Sequence, residues 1–178
     1  MERPEALAGD GVVLRPLRED DAPAYAAAFR DDPELGIAIG TPTDPDEARI
    51  RERIAADRDG FELAITADGS GAFCGVIAIH HIEPDHGRAE VGFWLAPQAR
   101  GRGLGTRAVA LVVGWLFERQ GLRRLEMTTT PENGGALVLA RRLGFTQEGV
   151  LRQRDVERGR GVDIVWFGLL RDEWRQSA

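Results

Sequence analysis

Apolar positions along this chain follow two periods, and the change between them orders the elements. Val12-Val13-Leu14-Arg15-Pro16-Leu17 reads as a first strand. Asp20 or Asp21 is placed to cap the helix that follows, with Ala22, Tyr25, Ala26 and Phe29 on one face. Thr43 with Asp46 three residues on resembles a capping box, with Asp in place of Glu. It opens a second helix to about Arg58, whose apolar side is thin: Ala48, Ile50, Ile54 and Ala55. Residues 61–66 and 73–82 read as strands around the turn Ala67-Asp68-Gly69-Ser70-Gly71. A further strand, 89–95, is stopped by Pro97.

From 103 to 120 the period changes: Leu104, Ala108, Leu111, Val112, Trp115 and Leu116 form a helical stripe, ended by Gly121. Residues 124–129 read as a strand, 135–143 as a short helix ended by Gly144, and 162–169 as a final strand. Strands joined by hairpins come first and a strand–helix–strand–helix unit follows. The expected architecture is therefore α+β, a mixed α/β domain with helices on both faces of a mixed sheet. No repeat or linker divides the chain, so residues 1–178 are expected to form one domain.

Composition narrows the function classes. The chain holds no apolar run approaching the 18–20 or so residues that span a bilayer, and its first residues lack the layout of a secretory signal. The single cysteine, Cys74, sits in an apolar strand, reads as core, and fits a reducing cytoplasm. His80, His81 and His86 do not stand at metal-ligand spacing, and no metal is expected. Residues 1–59 carry a net charge of −7 and residues 60–178 a net of +1, which argues against nucleic acid as the main partner. All 23 basic residues are arginine, as codon bias would produce and as a chain holding an electrophilic thioester would tolerate well.

The stretch that carries chemistry is Arg100-Gly101-Arg102-Gly103-Leu104-Gly105-Thr106, a loop with three alternating glycines between a strand and the strongest helix. Glycines let a backbone approach a ligand and present successive N–H groups, and the helix start adds a partial positive charge. Together these form a pyrophosphate site, to which Arg100 and Arg102 could add charge-assisted contacts. No Gly-Lys-Ser/Thr follows, so this is not a Walker loop, and its place past mid-chain does not suit a dinucleotide fingerprint.

Six segments in order resemble the GNAT family of N-acetyltransferases, in its RimJ/RimL ribosomal-protein N-terminal acetyltransferase branch. They are Leu14-Arg15-Pro16-Leu17 with Glu19-Asp20-Asp21-Ala22; Arg88 to Leu95; the R-x-x-G-x-G loop; Pro131-Glu132-Asn133 with Arg142-Leu143-Gly144-Phe145; Glu148 to Arg152; and Leu169 to Trp174. The resemblance implies the GNAT fold, a twisted, mostly antiparallel sheet with splayed central strands. It also implies acetyl-CoA as co-substrate and direct attack of an amine on the thioester, with no covalent enzyme intermediate. Phe93, Trp94 and Leu95 would face the pantetheine arm, with an N–H offered to the thioester oxygen at a bulge. Asn133 would contact the cofactor, or simply cap a helix. The first helices and the loop from Pro33 to Thr43 would wall the acceptor site, and a homodimer is expected by analogy.

Two positions depart from the family pattern. Ala136 stands where the family has a serine that protonates the departing thiolate, and the one tyrosine, Tyr25, is on the first helix. Asp155 aligns with a carboxylate proposed as base, although a pairing with Arg152 or Arg154 explains it as well. Glu90 would bind substrate or pair with an arginine. His80 and His81 end a strand, so one is expected on each side of the sheet. The acceptor would be a protein N-terminal α-amine or a small cationic amine. The alternatives are another acyl donor such as succinyl-CoA, and a non-catalytic acyl-CoA sensor.

Overall fold

The computed structural model describes residues 1–38, 46–55, 60–67 and 71–174. In chain order these form β1 (Leu7–Gly9), β2 (Val12–Pro16), α1 (Ala22–Asp31), α2 (Pro33–Ala38), α3 (Glu47–Ala55), β3 (Phe61–Ala67) and β4 (Phe73–Glu83). There follow β5 (Arg88–Leu95), α4 (Leu104–Glu118), β6 (Arg124–Thr129), α5 (Gly134–Arg142), β7 (Thr146–Glu157) and β8 (Arg160–Leu170). The strands make one sheet in the order β1-β2-β3-β4-β5-β6-β8-β7. All neighbours are antiparallel except β5 and β6, which α4 joins by the crossover that a parallel pair requires.

That parallel junction is short. Arg88, Ala89 and Glu90 pair with Arg124, Leu125 and Glu126, and pairing stops there. Beyond Glu90, β5 stays with β4 as far as Leu95↔Gly75, while β6 stays with β8 as far as Thr129↔Val165. The sheet therefore opens in a V between the two strands, with Glu90 at its vertex.

Each face of the sheet has its own core. Leu14, Ile65, Ile77 and Val91 pack under Val109, Val112 and Leu116 of α4 and Leu139 of α5. On the other face Tyr25 and Phe29 of α1 meet Trp94, with ring centroids 4.8 and 5.3 Å apart, both edge-on. Strand alternation explains the division: Phe93 and Leu95 join the α4 side and Trp94 the α1 side. Each fully buried large side chain contributes about 1.5–3 kcal/mol.

Several local expectations change. Asp21 holds the N-cap position of α1, but its side chain makes no capping bond to the helix. Its carboxylate takes two hydrogen bonds from Arg15, at 2.7 and 2.8 Å, and one from the Arg18 N–H, tying β2 to the helix entry. The cap of α3 is Asp46, whose Oδ1 accepts from the Arg49 N–H at 2.8 Å. Thr43 and most of the predicted turn 67–71 lie outside the described residues. β1, α2 and β7 are additional elements. Among the described residues no helix is long and apolar enough to cross a membrane.

Candidate active site

The V opens into a cleft of about 1700 Å³. Phe93, Trp94 and Leu95 line one side of it, Thr128 and Thr129 the other, and the glycine loop closes one end. Past Glu90 the β6-facing edge of β5 has no strand partner, so alternate main-chain groups there are available to a ligand.

The loop is built on left-handed backbone. Gly101 has φ 75° and Gly103 φ 70°, a region costly for side chains, and Gly103 is the N-cap of α4 without a side-chain cap. The first helical bond runs from the Arg107 N–H to the Gly103 carbonyl at 3.1 Å, so the N–H groups ahead of it are the ones a helix start leaves for a ligand. Gly105 serves packing: a Cβ there would lie 3.3 Å from Phe93 and 3.4 Å from Leu139 and Leu95. Gly101, Gly103, Leu104, Gly105 and Thr106 all line the cleft. Of the two arginines, Arg100 lines the cleft and Arg102 does not. Arg100 donates to the Leu95 carbonyl at 3.0 Å and pairs with Asp32 at 2.7 Å, fixing the loop to β5 and to the residue after α1. Arg102 is exposed and outside the cleft lining, and its carbonyl accepts from Arg107 at 3.1 Å.

At the vertex Glu90 is 6% exposed. Its Oε1 accepts from the Thr128 hydroxyl at 2.5 Å and its Oε2 lies 2.9 Å from His81 Nδ1, so its partners are a histidine and a threonine rather than an arginine. The two histidines share one side. His81 has φ 47° and the β4–β5 register breaks between His80 and Glu83, which cancels the alternation and brings the rings to 4.8 Å. This irregularity is at the far end of the strand pair from Phe93–Leu95, where the expected bulge is absent and the register is regular.

Asp155 lies on the exposed strand β7, pairs with Arg154 at 3.1 Å and lines the cleft. A register break between Leu151 and Asp155 positions it, with the Gln153 N–H donating to Asp163 at 2.8 Å. The β7–β8 hairpin turns through Arg158 and Gly159, at φ 48° and 73°. Arg158 bonds Glu34 of α2, so the hairpin reaches across to the first helices. Asp32, Glu34 and Leu35 line the cleft there; residues 39–45, the rest of the loop expected to wall the acceptor site, lie outside the described residues.

Asn133 is the N-cap of α5, its Oδ1 accepting from the Ala136 N–H at 3.1 Å, and both residues border the cleft. Tyr25 is fully buried in the α1 core and outside the cleft lining. Cys74 is partly buried against the α4-side core. The convergence of Thr128 and both histidines on Glu90 was not read from the sequence. The signal for the histidine part is the turn Pro84-Asp85-His86-Gly87, which fixes His80 opposite Glu90.

Comparisons with known proteins agree with this geometry. The sequence profile of the acetyltransferase (GNAT) domain matches residues 12–146. YdaF of Bacillus subtilis (strain 168), provisionally named a ribosomal N-acetyltransferase, is 32% identical over 119 residues, 67% of this chain and 64% of its own length. Spermidine N(1)-acetyltransferase of Escherichia coli (strain K12) is 33% identical, covering 79% of this chain and 75% of that protein. Among solved structures, a GCN5-related N-acetyltransferase from Brucella melitensis is 28% identical with a TM-score of 0.84, over 95% of this chain and 80% of that one. RimJ of Mycobacterium smegmatis, in complex with CoA-disulfide, shares the fold at 24% identity and a TM-score of 0.84, over 93% and 85% of the two chains. The chain belongs to the GNAT family of acetyltransferases.

Proposed function

We infer that this chain, acting as one domain, moves an acetyl group from acetyl-CoA to a cationic primary amine, by direct attack within a ternary complex. The acceptor class is a protein N-terminal α-amine or a small amine. The observation that carries this reading is the alignment of three features along one cleft: a glycine loop at a helix start, an unpaired strand edge, and a buried carboxylate at the vertex. The loop takes the pyrophosphate, with Asn133 bordering the cofactor. The edge of β5 at Phe93, Trp94 and Leu95 takes the pantetheine arm and polarises the thioester carbonyl.

Attack needs a neutral amine. An α-amine with a pKa of about 7.7–8.0 is roughly a tenth neutral at pH 7, so the site has only to accept the proton lost as the bond to carbon forms. Glu90 Oε2, held by Thr128 through its other oxygen, is the acceptor in this reading. Asp155 lies on the more open arm with Glu157 and Asp163, and this carboxylate group attracts a cationic acceptor.

Ala136 and the buried Tyr25 favour a second reading, a sensor that binds acyl-CoA without turnover. Thiol release from acetyl-CoA in the presence of amines separates the two, and Glu90→Gln tests the part played by the vertex. The substitution keeps the shape and a bond to Thr128 but removes the proton acceptor, so kcat should fall at least tenfold while the Kd for acetyl-CoA stays within twofold. An unchanged kcat in the folded variant would take the vertex out of the reaction.

A further inference from the structure

We propose that His80, His81 and Glu90 form a zinc site at the vertex of the cleft, and that Zn²⁺ held there excludes the acceptor amine. The three donor atoms are His80 Nδ1, His81 Nδ1 and Glu90 Oε2. Their separations are 3.3 Å between the two nitrogens, 2.9 Å from His81 to Glu90 and 3.9 Å from His80 to Glu90. Ligands around a tetrahedral zinc with bonds of about 2.0–2.1 Å stand about 3.3–3.4 Å apart, so the three separations bracket a tetrahedral edge, and small side-chain rotations would bring the trio onto it. Two neutral imidazoles and one carboxylate are also a ligand set that zinc takes at sites with an open position.

The backbone is arranged to make the trio. Adjacent strand residues point to opposite faces, and two neighbouring histidines would ordinarily be separated by the sheet. The left-handed conformation of His81, uncommon for a residue other than glycine, turns its ring to the side of His80. Opposite them, the Thr128 hydroxyl holds Oε1 of Glu90 and leaves Oε2 toward the histidines, the kind of second contact that orients a metal-binding carboxylate. Gly92 leaves room beside the His80 ring, where a Cβ would come within 3.3 Å of Nε2. His80 and Glu90 face the cleft, so the fourth corner of the tetrahedron opens onto it.

A metal there occupies the oxygen that accepts the amine's proton in the reading above. That inhibitory consequence rests on the reading; the site itself does not. Metal-free protein titrated with Co²⁺ should develop the visible absorption of tetrahedral cobalt with one equivalent bound, and Zn²⁺ should displace it. Asn tolerates the left-handed backbone but lacks the imidazole, so His81→Asn should fold normally and weaken Zn²⁺ binding at least tenfold; His80→Ala should do the same. No stoichiometric cobalt absorption in the parent chain, or equal Zn²⁺ affinity in both folded variants, overturns the site. In the acetyl-transfer assay Zn²⁺ should inhibit competitively against the amine, and His81→Asn should resist it. Tight binding without inhibition overturns the exclusion of the amine. Absence of transfer by metal-free protein counts against the proposed function, while the cobalt titration still decides the metal site.

Discussion

Gly101, Gly103 and Gly105 alternate along one loop, yet two of them are there for their backbone and one for its missing side chain. The left-handed φ of Gly101 and Gly103 turns the chain into α4, whereas Gly105 admits Phe93, Leu95 and Leu139 against the helix. Gly103→Asn tests the phosphate role without the strain a branched residue would bring, because Asn accepts positive φ. Titration calorimetry should show acetyl-CoA binding at least tenfold weaker, about 1.4 kcal/mol; equal affinity would reduce the loop to a connection. Ala136, in the first turn of α5, borders the cleft with its N–H already committed to Asn133. A serine there would donate to the sulfur as charge develops, a bond to a charged group worth about 1.5–3 kcal/mol. Ala136→Ser should therefore raise kcat up to about tenfold, most at high pH where water is the poorer proton source, with cofactor affinity unchanged. A kcat that does not rise between pH 6.5 and 9 would place the sulfur elsewhere. At this scale the glycine loop and Asn133 were legible because local composition carries them. The turned-back ring of His81 was not, because its orientation depends on a register break that involves a second strand.

At the scale of elements, the joints are charged. Arg15 and Asp21 clamp β2 to the start of α1 while both are largely buried. Burial pushes the Asp21 carboxyl up, but the Arg15 guanidinium and the Arg18 N–H more than offset it and hold it below the usual range. Its contribution is therefore complete above the unfolded value near pH 4 and is lost as pH falls through the lower folded value. Asp21→Asn should cost about 2–3 kcal/mol at pH 7, read by urea denaturation, and the gap from the parent should close in acid. A gap independent of pH would mean that the loss is one of packing. A second joint crosses β8, where Gly168 leaves space for Arg124 to lie between Glu126 and Glu148. The hydrogen bonds that Arg124 donates to the Glu148 carboxylate hold its guanidinium above its ordinary value. The helical stripe of α4 announced itself in the sequence because it buries a defined face, and β3 to β5 did so as largely apolar runs, much of them buried, between turn residues. β7 did not: it is exposed along nearly its whole length and alternates nothing, so pairing with β8 alone makes it a strand. β1 has three residues and α2 six, too few to set a period.

Across the whole molecule, the proposed reaction depends on a sheet that fails to close. Helices on both faces stabilise the layers, and the split between β5 and β6 puts the glycine loop, the open strand edge and Glu90 in one cleft between them. Glu34, Asp155, Glu157 and Asp163 line that cleft, the first paired with Arg158 and the second with Arg154. Screening acts over about 10 Å at 0.1 M salt, so attraction of a cationic amine should weaken as salt is added. Thiol release from acetyl-CoA by metal-free protein, over cationic and neutral primary amines of matched basicity at low and high salt, tests the account most directly. Release should be coupled to formation of the acetylated amine, fastest with cationic acceptors at low salt, with a salt dependence absent for neutral ones. Tight acetyl-CoA binding with no thiol release above background for any amine would contradict it and leave the chain a sensor.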